Sequence, residues 1–157
     1  ILKKIFYKPA LFLDRDGVIN KDYGYVYKQS EFIWNKKIFS FIKNYQMKGY
    51  NIFIVTNQSG IGRGYYNEKD FFKLHIYIKN FFINKKIFIN DIRYCPHHPT
   101  EAKGMYKIRC KCRKPNNGMI ENLKKNWMVD VKKSIMFGDN MSDQKAAKKS
   151  NIKFKYF

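Results

Sequence analysis

The chain is organised around the stretch Leu11-Phe12-Leu13-Asp14-Arg15-Asp16-Gly17-Val18-Ile19-Asn20. Its apolar beginning stops abruptly at Asp14 and Asp16, and a short apolar run bounded by turn residues is typical of a buried strand. The two carboxylates then lie at the carboxyl end of that strand, which is the edge where open α/β sheets bind ligands. Two aspartates so close together repel each other unless a cation or a proton lies between them. The stretch therefore predicts a Mg²⁺ site in which one carboxylate is also free to attack.

Apolar segments of strand length alternate with segments of helical periodicity along the rest of the chain. This alternation predicts an α/β fold with parallel strands and right-handed crossovers. The predicted strands cover residues 9–13, 50–55, 91–94, 134–137 and 152–157. The predicted helices cover residues 36–48, 67–82, 117–126 and 142–150.

Three further polar side chains are predicted to reach the same sheet edge. Thr56 follows the second strand and Asp139 follows the fourth, while Lys114 ends a long loop without periodicity. Because the carboxyl ends of parallel strands meet at one edge, these residues should converge with Asp14 and Asp16. The glycines after Thr56 are predicted to form a loop with exposed backbone N–H groups.

The long loop collects residues that suit zinc. Cys95 is followed closely by His97 and His98, and Cys110 and Cys112 come a dozen residues later. Three thiolates and one imidazole make a closed tetrahedral set, so we expect a structural Zn²⁺ site over residues 95–112. The spacing alone leaves His97 and His98 as alternative fourth ligands. An odd number of cysteines argues against a disulfide framework.

These motifs resemble those of the haloacid dehalogenase superfamily of phosphohydrolases. The resemblance rests on the D-x-D-G stretch, Thr56, Lys114 and the segment from Gly138-Asp139 to Asp143. Residues 56–61, 95–99 and 110–115 (TNQSGI, CPHHP and CKCRKP) resemble more closely the D-glycero-D-manno-heptose 1,7-bisphosphate 7-phosphatases of lipopolysaccharide heptose synthesis. Histidinol-phosphate phosphatase shares the D-x-D stretch and the zinc loop and is the alternative, although residues 22–25, 59–64 and 118–119 are more similar to the heptose enzymes.

The resemblance implies a three-layer, Rossmann-like haloacid dehalogenase fold with a mainly parallel sheet. It also implies one phosphatase domain over residues 1–157, with a zinc-stabilised loop and no large cap domain. Members of the family continue into a further strand and helix after the point where this chain ends. The chain is therefore expected to be either a shortened protein or a fragment.

The resemblance further implies a role for each residue at the sheet edge. Asp14 would be the nucleophile that forms an aspartyl-phosphate, and Asp16 the general acid and then the general base. Thr56 and Lys114 would bind the oxygens of the transferring phosphoryl group. Mg²⁺ would be held by the carboxylates of Asp14 and Asp139 and by the backbone carbonyl of Asp16. Zinc would be held by Cys95, His97, Cys110 and Cys112.

The implied substrate is a small phosphorylated sugar. Arg113 would grip its second phosphate, since a guanidinium binds phosphate with a fork of donors. At position 140 members of the family often carry Lys, whereas this chain has Asn140, which removes one cation from the predicted substrate contacts. The remaining residues expected to line the sugar pocket are Asp22, Tyr23, Gly24, Tyr25, Asn57, Gln58 and Ser59.

Composition raises one alternative from a different class. The formal net charge is +20, and 18% of the residues are aromatic, so a basic, zinc-stabilised nucleic-acid-binding module is also considered. The lysines are scattered, however, and Lys, Asn, Ile, Phe and Tyr are enriched together, as in proteins from A/T-rich genes. No zinc-finger spacing, apolar membrane span or signal peptide is visible, the last judged from residues 1–6. We therefore expect a cytoplasmic monomer without a specific nucleic-acid partner.

Overall fold

The computed structural model describes residues 6–157, which form an α/β fold around one parallel sheet. The sheet has five strands in the order β3-β2-β1-β4-β5. The strands are β1 (Ala10–Leu13), β2 (Asn51–Asn57), β3 (Asp91–Cys95), β4 (Ile135–Gly138) and β5 (Lys153–Tyr156). The predicted parallel α/β fold is thus confirmed, and each predicted strand is found within three residues of its expected bounds.

Helices connect the strands. They are α1 (Ile38–Met47), α2 (Ser59–Arg63), α3 (Glu68–Asn84), α4 (Gly118–Trp127) and α5 (Met141–Lys149). Asn67 caps α3 as predicted, since its side chain accepts a hydrogen bond from Asp70 N and the Asp70 carboxylate accepts one from Asn67 N. In residues 6–157, none of these helices combines the length and the apolar character needed to cross a bilayer.

The alternation of side chains along β1 creates the three layers. Leu11 and Leu13 face one side of the sheet and pack in a cluster with residues of α1 and α3. Ala10 and Phe12 face the other side and pack with residues of α4 and α5. Since successive side chains of a strand point to opposite faces, both faces of a strand this apolar must be covered by helices.

The strand order places a topological switch point beside β1. The chain moves from β1 to β2 and β3 on one side, and returns to β4 and β5 on the other. In the register, Leu13 lies between Ile54 of β2 and Phe137 of β4. The residues that follow these three strands therefore share one edge of the sheet, where open α/β sheets bind their ligands.

The segment after Thr56 differs from the prediction. Thr56 lies inside β2, and residues 59–63 form the short helix α2 instead of an open glycine loop. The glycines serve close packing, because a Cβ on Gly62 would collide with the Pro96 carbonyl oxygen and with Ala102. Gly64 ends the helix in the left-handed region, with a φ of 81°.

Two connections have little regular structure. Between β1 and α1 the described chain contains only a 3-10 turn at Gln29–Glu31, which leaves no room for a large cap domain there. The stretch from β3 to α4 contains a 3-10 turn at Gly104–Tyr106 and is otherwise the long loop that was predicted. The expectation that no signal peptide is present was based on residues 1–6, and all of these except residue 6 lie outside the described part of the chain.

Candidate active site

The centre of the site is a buried ion-pair cluster at the carboxyl edge of the sheet. Asp14 follows β1 directly, and its Oδ1 lies 2.9 Å from Lys114 Nζ. Lys114 Nζ also lies 2.6 Å from Oδ1 of Asp143, a residue of α5. Lys114 is only 3% exposed and Asp143 is fully buried. Buried charges need partners, and here one ammonium holds two carboxylates together.

The surroundings make the Asp14 carboxylate unusually basic. Burial raises the pKa of Asp14 from 3.8 to about 7. Lys114 opposes this shift, while the neighbouring Asp143 and Asp16 add to it. For Lys114, burial lowers the pKa, but Asp14 and Asp143 outweigh that effect and raise it. The ammonium therefore stays charged beside carboxylates that compete for it.

Asp139, which follows β4, completes a group of three carboxylates. One oxygen each of Asp14, Asp139 and Asp143 lies within 4.8 Å of the others. Gly17 makes room for this arrangement, because a Cβ at that position would overlap the Asp139 carboxylate. Clustered carboxylate oxygens are the ligands that Mg²⁺ prefers. The donor set and the space beside Gly17 thus fit the predicted magnesium site, with Asp143 as a ligand candidate that the sequence analysis did not assign.

The Asp16 side chain is not part of this group and lies in a network of donors. Its Oδ1 accepts hydrogen bonds from Arg15 Nη2 at 2.8 Å and from Asn20 Nδ2 at 3.0 Å. Its Oδ2 accepts from Arg15 Nη2 at 2.9 Å and from Gln58 Nε2 at 3.0 Å. Arg15 is 1% exposed and also donates to the carbonyl oxygen of Val26. These contacts fix the Asp16 carboxylate apart from the carboxylates of the proposed metal group.

Lys114 is held in place from two sides. Its ammonium donates a hydrogen bond to the Val55 carbonyl oxygen at 2.9 Å, in addition to its ion pairs with Asp14 and Asp143. Its backbone forms a reciprocal pair with Asn57: Lys114 N donates to Asn57 Oδ1, and Asn57 Nδ2 donates to Lys114 O, both at 3.0 Å. The amide of Asn57 therefore positions Lys114, a contact that the sequence did not reveal.

A cleft of about 330 Å³ opens over these groups. Most of the residues predicted to line a sugar pocket do line it: Asp22, Gly24, Tyr25, Asn57, Gln58, Ser59 and Asn140. Thr56 is fully buried beneath the cleft, where its Oγ1 accepts a hydrogen bond from Gln58 Nε2 at 2.8 Å. Three residues that the sequence analysis did not place in the site also line the cleft, namely Tyr66, Ser142 and Asp143.

Two predicted substrate contacts lie elsewhere. Tyr23 is exposed and is not part of the cleft lining. Arg113 lines a separate cavity beside the zinc loop, and its Nη1 donates to the His97 carbonyl oxygen at 3.3 Å. Asn140 lies in the cleft, but its Nδ2 donates to Asp139 Oδ1 at 2.9 Å. In this conformation the only cation that lines the cleft, among residues 6–157, is Lys114.

The predicted zinc ligands come together in the long loop. The Sγ atom of Cys95 lies 3.5 Å from that of Cys110 and 2.9 Å from that of Cys112. His97 Nδ1 lies 3.3 Å from Cys112 Sγ, whereas His98 Nδ1 accepts a hydrogen bond from Glu101 N at 3.0 Å. The geometry therefore selects His97 from the two histidines that the spacing left open.

The chemistry of this cluster also fits zinc. All three cysteines are free. Hydrogen bonding to Cys95 lowers the pKa of Cys112 to about 5, which favours a thiolate there. Thiolates and a neutral imidazole converging on one point, with no further ligand required, suit a structural tetrahedral Zn²⁺.

Substitution of the two histidines separates a ligand from a neighbour. We expect His97→Ala to lose bound zinc and to unfold at a clearly lower temperature, because the loop has little core of its own. His98→Ala is the matched control and should retain zinc, losing only its hydrogen bonds with Thr100 and Glu101 of the same loop. Metal content by mass spectrometry and thermal unfolding measure both effects. Zinc retained by His97→Ala but lost by His98→Ala would contradict the assignment.

Comparison with known proteins identifies the family. The polynucleotide kinase 3 phosphatase family matches residues 12–156. A D-glycero-beta-D-manno-heptose-1,7-bisphosphate 7-phosphatase from Rhodopseudomonas palustris is 41% identical over 145 residues, which cover 92% of this chain and 81% of that protein. A D-glycero-alpha-D-manno-heptose-1,7-bisphosphate 7-phosphatase from Campylobacter jejuni is 46% identical over 143 residues, covering 91% of this chain and 78% of that protein.

A solved structure agrees with these relatives. The D,D-heptose 1,7-bisphosphate phosphatase from B. bronchiseptica, complexed with magnesium and phosphate, superposes with a TM-score of 0.82. Its sequence is 26% identical to this one, and the match covers 93% of this chain and 78% of that chain. A had-like phosphatase from Mesorhizobium loti, 31% identical to this chain, superposes with a TM-score of 0.88, and the match covers 93% of this chain and 70% of that chain. The chain therefore belongs to the polynucleotide kinase 3 phosphatase family and has the haloacid dehalogenase fold.

Proposed function

We propose that the protein is a Mg²⁺-dependent phosphatase that removes the 7-phosphate of D-glycero-D-manno-heptose 1,7-bisphosphate. The observation that carries the phosphatase activity is the cluster of Asp14, Asp139 and Asp143 around Lys114 at the sheet edge. The substrate is supported by the heptose-bisphosphate phosphatases that are 41% and 46% identical to this chain. Both anomers occur among those relatives, so the proposal covers both.

Asp14 is the proposed nucleophile, and its hydrogen bonds indicate which oxygen attacks. Oδ1 accepts a hydrogen bond from Arg15 N at 2.8 Å and forms an ion pair with Lys114 Nζ at 2.9 Å. Within residues 6–157, no donor reaches Oδ2. Oδ2 would form the new bond to phosphorus, and the bond from phosphorus to the sugar oxygen would break to leave an aspartyl-phosphate.

Asp16 is the proposed proton donor and acceptor. In the first half of the reaction it would give a proton to the departing sugar oxygen. In the second half it would take a proton from the water that attacks the phosphorus of the aspartyl-phosphate, which restores Asp14. Its donors Arg15, Asn20 and Gln58 would hold the carboxylate in the required orientation.

The other site residues position charge. The proposed metal ligands are Asp14, Asp139 and the backbone carbonyl of Asp16, together with Asp143. When bound, Mg²⁺ offsets the charge of the phosphate so that an anionic carboxylate can approach it. Lys114 would stabilise the phosphoryl oxygens by its positive charge, and Thr56 would donate its hydroxyl proton to one of them.

The cleft residues would bind the sugar. Its volume of about 330 Å³ suits a small phosphorylated substrate. Arg113 keeps its proposed role as the grip for the 1-phosphate, which requires its guanidinium to leave the His97 carbonyl oxygen. Tyr23 is exposed, but its chain neighbours Asp22 and Gly24 line the cleft, so it is retained as a proposed contact. We also propose that the protein acts as a monomer in the cytoplasm and takes part in lipopolysaccharide heptose synthesis. It would have no specific nucleic-acid partner.

Comparison of substrates tests the proposal. With Mg²⁺ supplied, kcat/KM should be highest for one anomer of the heptose 1,7-bisphosphate, and the product should retain its 1-phosphate. Histidinol phosphate is the competing substrate for the alternative phosphatase of the sequence analysis, and a 3′-phosphorylated oligonucleotide is the substrate suggested by the name of the matched family. A higher kcat/KM for either competitor would overturn the proposed substrate, and salt-dependent RNA binding without any phosphatase activity would favour the nucleic-acid-binding alternative.

Gly17→Ala should impair the metal site directly. The new Cβ would overlap the Asp139 carboxylate, so we expect the Mg²⁺ concentration for half-maximal activity to rise by about tenfold or more. Gly49→Ala is the matched control, because Gly49 also has a positive φ, 82°, but a Cβ there has nothing within 4 Å. Both variants should lose about 1–2 kcal/mol of stability to backbone strain. An equal Mg²⁺ requirement in the two variants would argue against the proposed metal site.

A further inference from the structure

Gln58 connects two proposed active-site residues to a third that has no assigned role. Gln58 is 2% exposed, and its Nε2 donates to Asp16 Oδ2 at 3.0 Å and to Thr56 Oγ1 at 2.8 Å. Its Oε1 accepts a hydrogen bond from the hydroxyl of Tyr66. Every polar atom of this buried amide is therefore used, in a network that runs from Tyr66 to the site.

The chemistry of the partners determines how the amide is oriented. Asp16 Oδ2 also accepts a hydrogen bond from Arg15 Nη2, a group that can only donate, so this oxygen is an acceptor and the amide nitrogen of Gln58 must face it. The amide oxygen then faces Tyr66, and the phenol must donate. If the amide turned over, its oxygen would face the Asp16 carboxylate, and two acceptors would be in contact. The Tyr66 hydroxyl thus favours one of the two amide orientations.

Tyr66 is itself held rigidly. It is 7% exposed, and its ring stacks on that of Tyr27 with centroids 4.9 Å apart and planes 7° apart. Gly60 makes space for the ring, because a Cβ there would overlap it. Burial raises the pKa of the phenol, so it keeps its proton and remains a donor. The hydroxyl is accordingly a fixed donor aimed at Gln58.

We propose that Tyr66 is a positioning residue for the phosphatase reaction, because its hydroxyl holds the Gln58 amide in the orientation that donates to Asp16 and Thr56. This inference rests on the proposed function. Asp16 is then fixed where it exchanges a proton with the sugar oxygen. Thr56 Oγ1 accepts from Gln58, which leaves the threonine's own proton free for a phosphoryl oxygen.

Removal of one oxygen atom tests the proposal. Tyr66→Phe keeps the ring and its packing, and should lower kcat about three- to tenfold, the effect expected for one lost hydrogen bond, with little change in KM. Tyr94→Phe is the control, since Tyr94 packs against the same aromatic cluster and, within residues 6–157, its side chain makes no hydrogen bond with the Gln58 amide. Unchanged kcat in Tyr66→Phe, or an equal loss in Tyr94→Phe, would overturn the proposal.

A double-mutant cycle distinguishes positioning from general packing. If Tyr66 acts through Gln58, Tyr66→Phe should cause no further loss of kcat in a Gln58→Leu background. Additive losses would mean that the hydroxyl acts by another route and would refute the inference.

A measurement without substrate separates this inference from the proposed function. Hydrogen exchange of the Gln58 side-chain amide, followed by NMR, should be slow in the wild type and about tenfold faster in Tyr66→Phe. Equal exchange in both proteins would overturn the positioning role, whatever the activity. Absence of phosphatase activity in the wild type, with the expected change in exchange, would instead count against the proposed function alone.

Discussion

Asp14→Asn should reduce phosphate release by about 10⁴-fold or more, because the substitution removes the nucleophile and leaves the shape of the side chain intact. Asparagine is a poor nucleophile, and Asp143, the other carboxylate that pairs with Lys114, is fully buried. The fold should survive, since burial of the ionised Asp14 is unfavourable, as its pKa of about 7 shows. Steady-state phosphate release and thermal unfolding measure the two effects separately.

The control for this variant is the same chemical change at the opposite edge of the sheet. Asp130 lies beside the start of β1, where its backbone N donates to the Lys8 carbonyl oxygen at 2.8 Å. Asp130→Asn should keep full activity, because the residue is far from the carboxyl edge. Residual turnover by Asp14→Asn within tenfold of the wild type would mean that another group attacks the phosphate.

Lys114→Met should damage both activity and stability. The substitution keeps the length of the side chain but leaves the buried carboxylates of Asp14 and Asp143 without their shared cation. Removal of one partner from a buried ion pair costs about 3–5 kcal/mol of folding free energy. Activity should fall by about 10³-fold, since a fixed charge beside the reacting phosphate is lost. Lys107→Met, at an exposed position of the same loop, should change neither quantity.

The stability loss of Lys114→Met should depend on pH in a defined direction. The unfavourable term is the negative charge of the unpaired carboxylates, which protonation removes. The unfolded state is common to both proteins, so the deficit changes only where the protonation of the two native states differs. Loss of Lys114 should raise the pKa of Asp14 above its wild-type value of about 7, so the deficit should grow as the pH rises above 7 and should level off below it. Chemical denaturation across this range measures the difference, and a deficit that grows on acidification would contradict the charge-pairing account.

Much of the fold followed from local sequence. The continuous apolar run before Asp14 predicts a buried strand, and the strand-helix alternation predicts parallel pairing. Together these place Asp14, Thr56 and Asp139 at one edge without any knowledge of distances. The spacing of Cys95, Cys110 and Cys112 likewise predicts a metal site, because three cysteines and a histidine in one loop are a common ligand set for structural zinc.

The finer features of the site depend on contacts between distant residues, which no local pattern encodes. The pairing of Asp143 with Lys114 arises only when α5 packs beside the loop that carries Lys114. The hydrogen bond from Tyr66 to Gln58 depends on the short helix α2, which lies between the two residues. The glycines in this segment had predicted a loop instead of a helix. The choice of His97 over His98 is a matter of side-chain direction within the loop. The Arg113 guanidinium was expected to grip the second phosphate of the substrate. In the structure it donates to the His97 carbonyl oxygen and lines a separate cavity beside the zinc loop.

The most direct test of the account is to locate the phosphoryl group during turnover. The wild-type protein is mixed with heptose 1,7-bisphosphate that carries a radioactive 7-phosphate, quenched in acid and digested. The account predicts a label that hydroxylamine removes, as expected for an acyl phosphate, on the peptide containing Asp14. The Asp14→Asn protein should carry no label. A phosphoryl group on any other residue, or full turnover by Asp14→Asn, would contradict the central claim that Asp14 attacks the 7-phosphate.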